Sequence, residues 1–554
     1  MLKTYWNILV FTLLITSCGV KKSLHDIPDV SSYNQSIPER NQISDSTFTT
    51  ENGLLTKNKY GQWELYVTGD PYQIGLQTGS LSQELMAKQE TAFLGKVEEL
   101  VPSKTKQYLL RKVLAWYNRK MYLHVPEEYK SEILGVSKYA GDTYDYVADD
   151  YLRLLYFHSA HDIGHALQDL ALVGCSSFAA WGDKTEDGSL IIGRNFDFYA
   201  GDDFAKNKII AFIKPTNGYN FMSVTWAGMM GVVSGMNDQG LTVTINAGKS
   251  DIPLIAKTPI SILTREILQY ASTIDEAIAI AKKRQVFVSE SIFIGSAKDN
   301  RAVTIEVSPN NFGVYNVENS NQLICSNHFQ SDAYAADENN LKQIAESHSQ
   351  YRFERMEELL SETPKLTVEK AVSILRNTEG LKNKAIGYGN EKALNQLLAH
   401  HGVVFKPEQG LVWISANPYQ LGEFVAYNLN TIFKNEPSEI AAKSFHNSEL
   451  TIEADPFQFT QAYLDYETYR VLSREISKAI STDNHVEPNV LDELIAVNPN
   501  YWEAYYLVGT YYYKKHYYTA ALQAFEKAQT KEITTVPDQQ HIDWYIKKIK
   551  NKLK

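Results

Sequence analysis

From Cys175 onward the chain turns into a run of short β-type segments separated by brief turns, and that run limits the folds open to it. The segments are SSFAAWG, SLIIGRNFDF, KIIAFIK, YNFMSVTWAG, GVVSGMN, GLTVTINAG, SIFIGSA, AVTIEVS and QLICSNHF. Asp187-Gly188 between the first two is a strong hairpin signal. Helical patterns interrupt the series over residues 259–283, where Thr273 and Asp275-Glu276 mark an internal start, and from about 341 to 376. HGVVFKP and GLVWISAN add a closing strand pair. Upstream, residues 63–67 alternate like a strand, Gly69-Asp70-Pro71-Tyr72 forms a turn, and a long helical region runs to about Leu170. Strands with helices to either side predict a layered α+β core.

The ends of the chain read differently. Residues 6–16 (WNILVFTLLIT) are an apolar stretch too short to span a bilayer and suited to a signal-peptide core. Ile15-Thr16-Ser17-Cys18 resembles a bacterial lipobox, with Cys18 as the acylated residue; the alternative is an ordinary secretory signal with an incidental cysteine. The expectation is an exported protein held at the cell membrane by lipid alone, since no later stretch reaches 18 apolar residues. Residues 19–58 are polar, without hydrophobic periodicity, and are expected to form a flexible tether. Residues 456–554 are expected to be helical. Trp502, Gly509, Tyr512, Ala521, Phe525 and Ala528 fall at tetratricopeptide-repeat positions, and a lone unit of that kind must pack on neighbouring helices.

Composition removes several functions. A formal net charge of −11 disfavours binding to phosphate backbones, so no nucleic-acid partner is expected. Three cysteines, none in a CxxC pair, give neither a disulfide scaffold nor a zinc site, and no metal or cofactor is expected.

Chemistry gathers around the second cysteine. Gly174-Cys175-Ser176-Ser177-Phe178 opens a strand directly after a helical segment, and Gly193-Arg194-Asn195-Phe196-Asp197 follows the hairpin. Arg194 and Asp197, three apart on one strand, must face opposite sides unless a bulge intervenes. In order, GCSSF, GRNFDF, GMNDQGLTVTINAG, CSNHF and SQYRFER resemble the cysteine N-terminal-nucleophile (Ntn) hydrolases. The match is to the isopenicillin-N acyltransferase-like family, with the choloylglycine hydrolases more distant. GDPYQIGLQTGSLSQEL and VPEEYKSEILGVSKYAG resemble the propeptide of the acyltransferase branch.

The resemblance implies a four-layer αββα fold, a propeptide over residues 59–174 and a catalytic core over 175–450. It implies self-cleavage between Gly174 and Cys175, the two fragments staying associated, and a Cys175 whose freed α-amine serves as its own base. It further implies that Arg194 lies beside the sulfur and Asp197 holds the α-amine. The oxyanion donors would be the Asn327 side chain and the Asn246 backbone N–H, and Arg352 a supporting arginine with Arg355 as rival. Cys325 is read as a reduced structural thiol. His328 is read as a strand-end structural histidine, and His400-His401 as core or site rim. The implied activity is hydrolysis or transfer of an N-acyl amide or lipid acyl group through an S-acyl-enzyme at the membrane surface. The competing expectation is a non-catalytic lipoprotein that presents its helical C-terminal region to a protein partner.

Overall fold

The computed structural model describes residues 19–166, 173–251, 255–434 and 443–554. The apolar stretch and lipobox of residues 1–18 lie outside them. Among the described residues no helix is long and apolar enough to cross a membrane.

Strands β1 (Asn41–Ser44), β2 (Thr47–Thr50) and β3 (Gly53–Lys57) precede β4 (Trp63–Gly69). They correct the expected tether over 19–58, since β3 pairs with β4 along its whole length and Phe48, Leu54 and Leu55 are buried. Composition concealed these strands because part of what they bury is threonine, and two of those hydroxyls, on Thr47 and Thr56, satisfy each other at 3.0 Å. Helix α1 (Pro71–Leu100) begins where the turn sequence predicts, with Pro71 in its first turn and the Asp70 carboxylate accepting from the Gln73 N–H. Helices α2 (Lys104–Tyr117), α3 (Glu127–Ser137) and α4 (Asp150–Ala166) follow.

The strand series is β5 (Val173–Ala180), β6 (Ile191–Phe198), β7 (Ile209–Pro215), β8 (Phe221–Thr225), β9 (Ser234–Asn237) and β10 (Leu241–Ala247). Helices α5 (Ile260–Tyr270) and α6 (Ile274–Lys283), the latter capped by Thr273, lead to β11 (Glu290–Ser296), β12 (Arg301–Val307), β13 (Phe312–Tyr315) and β14 (Gln322–Cys325). After α7 (Glu338–Glu346), α8 (Ser349–Ser361) and α9 (Val368–Leu375) come β15 (His401–Lys406), β16 (Leu411–Ser415), β17 (Phe424–Asn428) and β18 (Asn447–Ile452).

These strands form two sheets. One has the order β1-β2-β3-β4-β7-β8-β9-β10-β11-β12-β13 and the other β14-β5-β6-β15-β16-β17-β18. Ala179, Ile192, Phe212, Met222, Val403 and Ile414 fill the space between them. Met356, Leu360, Ala371 and Leu375 of α8 and α9 cover the outer face of the seven-stranded sheet at Phe178 and Trp413. Ile74, Ile133, Leu155 and Ile262 of α1, α3, α4 and α5 cover the eleven-stranded sheet. The layers therefore run helix, sheet, sheet, helix. Each sheet is buried on both faces, which explains why its strands read as nearly continuous apolar runs.

The last five helices, α10 (Gln461–Thr482), α11 (Pro488–Val497), α12 (Trp502–Lys514), α13 (Tyr518–Ala528) and α14 (Val536–Leu553), share a core of their own. At Gly509 an added Cβ would sit 3.0 Å from the Phe525 ring, so the glycine lets α12 and α13 close on each other. The bundle docks on the layered core through Glu532, which bridges Lys384 and Lys392, and through Arg470 and Arg474, which converge on Asp202.

The α1–α3 crossing explains two sequence motifs upstream of the strand run. A Cβ at Gly75 would lie 2.1 Å from the Glu132 carbonyl oxygen, and one at Gly135 2.7 Å from Leu76 N and the Tyr72 carbonyl oxygen. Here glycine is required for close backbone approach. Gly75→Ala is expected to destabilise the fold by roughly 1–3 kcal/mol, as overpacking does. Gly95→Ala, exposed on α1 with open space around it, is expected to stabilise by about 1 kcal/mol through helix propensity. Thermal melts of the two variants should move in opposite directions.

Candidate active site

β5 and β6 pair without a bulge from Val173↔Phe198 to Ala180↔Ile191. Strand alternation then places Cys175, Ser177, Arg194 and Phe196 toward the eleven-stranded sheet, and Gly174, Asn195 and Asp197 toward the helices. Arg194 and Asp197 thus do fall on opposite faces, with the Cys175 backbone between them.

Cys175 is buried, and its N–H donates to Asn327 Oδ1 at 2.9 Å. Its carbonyl accepts from Arg352 Nη1 at 2.5 Å. Both groups therefore point away from β6. Antiparallel alternation turns the neighbouring Gly174 carbonyl toward β6, onto the backbone N–H of Asp197. The Gly174–Cys175 peptide lies inside a regular ladder.

Two fully buried arginines flank the cysteine. Arg194 Nη2 lies 3.7 Å from Sγ and 2.6 Å from the Ile245 carbonyl, while its guanidinium stacks on Phe196 at 4.2 Å. Arg352 Nη1 also reaches Ser176 Oγ, and Nη2 donates to Asn327 Oδ1 at 2.5 Å. Arg355 turns away to Glu358 and Asn383, so of the two candidate arginines only Arg352 touches Cys175. Burial pushes the Cys175 thiol up to about 11; Arg194 lowers it, and Asp197 and Glu290 raise it further. Burial outweighs the arginine, and the sulfur is a neutral thiol.

Asp197 is buried, and neither carboxylate oxygen has a full hydrogen bond, although the Gln420 amide lies beside it. Burial raises Asp197 to about 7 against the pull of Arg352 and Arg194. Gln396 lies over Gly174 on the same side, 2.7 Å from where a Cβ would be.

Asn327 follows the end of β14. Its Nδ2 donates to the Ala247 carbonyl at 2.9 Å, and its backbone N–H donates to Ser349 Oγ, which also contacts His328 Nδ1. The Asn246 side chain ties the sheets together, accepting from Ser177 Oγ at 2.8 Å and donating to the Cys325 carbonyl. Its backbone N–H departs from the sequence expectation. Gly240 pairs with Ala297 and Gly248 with Ser289 through ladder bonds, so alternation commits the Asn246 N–H to Ser291 on β11. The N–H that faces the side of Arg194 and Asn327 is that of Ala247.

Sequence reasoning missed Ser234 and left His401 unassigned. Both reach Arg194: Ser234 Oγ lies 2.5 Å from Nη1, and His401 Nε2 lies 3.4 Å from it. No local motif marks either residue, because they meet the site only through sheet packing. Cys325 is buried, with its thiol pushed up by burial. Among the described residues no group of three or more His, Cys, Asp or Glu side chains is placed to hold a metal ion.

One aromatic ring beyond the cysteine is a small, mostly apolar cavity of about 40 Å³. Phe93 of α1, Leu154 and Phe157 of α4, and Phe198, Phe204 and Trp226 of the core line it. Phe196, opposite Cys175 in the ladder, stacks on Phe198 at 5.7 Å. Helices from before the Gly174–Cys175 bond and strands from after it thus share this cavity.

Among curated relatives, the chain is 28% identical over 282 residues to an uncharacterized protein of Archaeoglobus fulgidus, covering 47% of this chain and 46% of that one. It is 26% identical over 230 residues to an N-acylethanolamine-hydrolyzing acid amidase of Caenorhabditis elegans, covering 39% and 61%. The matches thus span about half of the relatives' lengths. Among solved structures, the Caenorhabditis elegans amidase ortholog aligns with TM-score 0.31 and 19% identity, covering 42% of this chain and 93% of that one. A conjugated bile acid hydrolase of Clostridium perfringens aligns with TM-score 0.32 and 16% identity, covering 46% and 93%. Residues 184–417 match the sequence profile of the acyl-coenzyme A:6-aminopenicillanic acid acyl-transferase family. That region, which includes Arg194, Asp197, Asn327 and Arg352, is therefore similar in sequence to the acyl-transferase family that the motifs resemble.

Proposed function

We propose that the chain is a self-activating cysteine amidohydrolase that takes an N-acyl amide and passes its acyl group through Cys175. The observation that carries this reading is the buried Asp197 carboxyl next to the Gly174–Cys175 peptide, with the Gln420 amide beside it and no full hydrogen bond to either oxygen. A buried carboxylate so weakly compensated is costly, and a free ammonium at Cys175 would supply a strong partner.

In the uncut chain Cys175 Sγ attacks the Gly174 carbonyl carbon. The C–S bond forms as the C–N bond breaks, and the departing nitrogen takes up the thiol proton to become the α-amine. The Asp197 backbone N–H faces the carbonyl oxygen as negative charge develops on it. Water then hydrolyses the thioester, leaving a carboxylate on Gly174 and restoring the thiol. In the cut enzyme the α-amine takes the thiol proton, the thiolate attacks the substrate carbonyl, and the ammonium returns the proton to the leaving amine. Asn327 and the Ala247 N–H are the donors at hand for the oxyanion, Arg194 attends the sulfur, and Asp197 holds the ammonium. Water completes hydrolysis; an amine in its place gives transacylation.

A lipid tether at Cys18 would hold the enzyme where acyl lipids are found. An exported enzyme does not meet coenzyme A thioesters, which favours hydrolysis.

Mass analysis of purified protein is expected to show fragments ending at Gly174 and starting at Cys175, and Cys175→Ala is expected to leave the chain whole. An intact wild-type chain would favour the non-catalytic reading. Because the neutral thiol dominates below its pKa of about 11, thiolate grows about tenfold per pH unit. Self-cleavage is therefore expected to accelerate from about pH 6 to 9, and a rate falling over that interval would exclude thiolate attack as the slow step. In the cut enzyme Asn327→Ala is expected to lower kcat by about 10²–10³, the usual cost of one oxyanion donor. A screen of N-acyl amino acids and acyl ethanolamides supplies the assay.

A further inference from the structure

The buried histidines at the start of β15 form a chain of polar contacts that ends at the sulfur. Arg194 Nη1 meets Ser234 Oγ at 2.5 Å, Ser234 Oγ meets His401 Nε2 at 2.8 Å, and His401 Nδ1 meets His400 Nδ1 at 2.8 Å. All four side chains are fully buried. Ser234 belongs to the eleven-stranded sheet, and Arg194 and His401 to neighbouring strands of the other, so the contact spans both sheets.

One proton arrangement suits this chain. A guanidinium can only donate, so Ser234 Oγ accepts from Arg194, and its hydrogen can pass to His401 Nε2. Nε2 is then a bare acceptor, and it also faces Nη1 at 3.4 Å. The His401 proton then sits on Nδ1, where it donates to His400 Nδ1, which leaves the His400 proton on Nε2. Both imidazoles are neutral. Burial and the Arg194 charge hold His401 well below the ordinary imidazole range.

Nothing else grips Nη1 among the hydrogen bonds at this site. Nη2 is left for the Ile245 carbonyl and the sulfur, and Nε has no partner. The Ile245 carbonyl and the Phe196 ring hold one side of the guanidinium, and Ser234, backed by His401, holds the other, so its aim at Cys175 depends on both. We propose that Ser234 and His401 are positioning residues that aim the Arg194 guanidinium at Cys175 Sγ and thereby set the thiolate character of the nucleophile. This rests on the reading of Cys175 as nucleophile. The other charged groups around Arg194 are Asp197 on its own strand, Glu290 on β11 and Arg352 on α8, with Lys208 acting on the two histidines. None of them holds Nη1.

The test is the pH midpoint of iodoacetamide alkylation at Cys175, read by peptide mass in the full chain. Ser234→Ala and His401→Leu break the contact at different atoms, and each is expected to raise the midpoint by about one pH unit, tenfold less thiolate below it. Ser234→Thr, which keeps the hydroxyl, is expected to return to within a few tenths of wild type. A purely structural role would lower the melting temperature and leave the midpoint in place. Either alanine or leucine variant suffices if the other does not fold, and an unchanged midpoint in a folded variant overturns the inference. Should both fail to fold, a Ser234→Thr midpoint as high as about one unit above wild type overturns it as well, because the hydroxyl is retained. A wild-type chain left uncut at Gly174–Cys175 would instead refute the proposed function.

Discussion

The site is governed by the cost of burying charge. Arg194, Arg352 and Asp197 are all withdrawn from water around one thiol, and the structure compensates the two arginines far better than the carboxylate. Arg352 is satisfied by the Cys175 carbonyl, Ser176 and Asn327, so that it braces the backbone on the C-terminal side of the Gly174–Cys175 bond. Asp197 faces the N-terminal side with only the Gln420 amide beside it and no full hydrogen bond, and burial raises its carboxyl to about 7. The site is thus electrostatically uneven, with its carboxyl compensated less well than its arginines.

Much of the fold was legible in the sequence because its strands and helices carry local signals. Asp70-Pro71 starts α1, Thr273 caps α6, and the apolar runs of β5 to β12 mark a sheet pair covered on both faces. What escaped lacks such signals. The hairpin β1–β2 is short and rich in threonine, β13 is four residues long, and β17 and β18 extend the second sheet past the last apolar pair. Their existence depends on a neighbouring strand and not on their own propensity.

The site divides in the same way. Cys175, Arg194, Asp197 and Asn327 sit in contiguous motifs, and the structure sets the latter three around Cys175 and the peptide before it. Arg352 and Arg355 could not be separated by spacing, and contact with the Cys175 carbonyl separates them. The direction of the Asn246 N–H depends on which residues of β10 and β11 pair, information that exists only once the ladder has formed. Ser234 and His401 are further removed still, since a serine and a histidine from different sheets become partners through layer packing.

The same layering gives the two ends of the chain a shared role. The cavity beside Cys175 is walled by α1 and α4 on one side and by the segment from Phe198 to Phe204 on the other. Asp202, in that segment, is gripped by Arg470 and Arg474 of the C-terminal bundle, and they hold its carboxyl down at about 2 against burial. The bundle therefore bears on the loop whose Phe204 closes the cavity, even though no bundle residue lines it. On this geometry the upstream helices supply one wall of the cavity and the downstream helices steady the other.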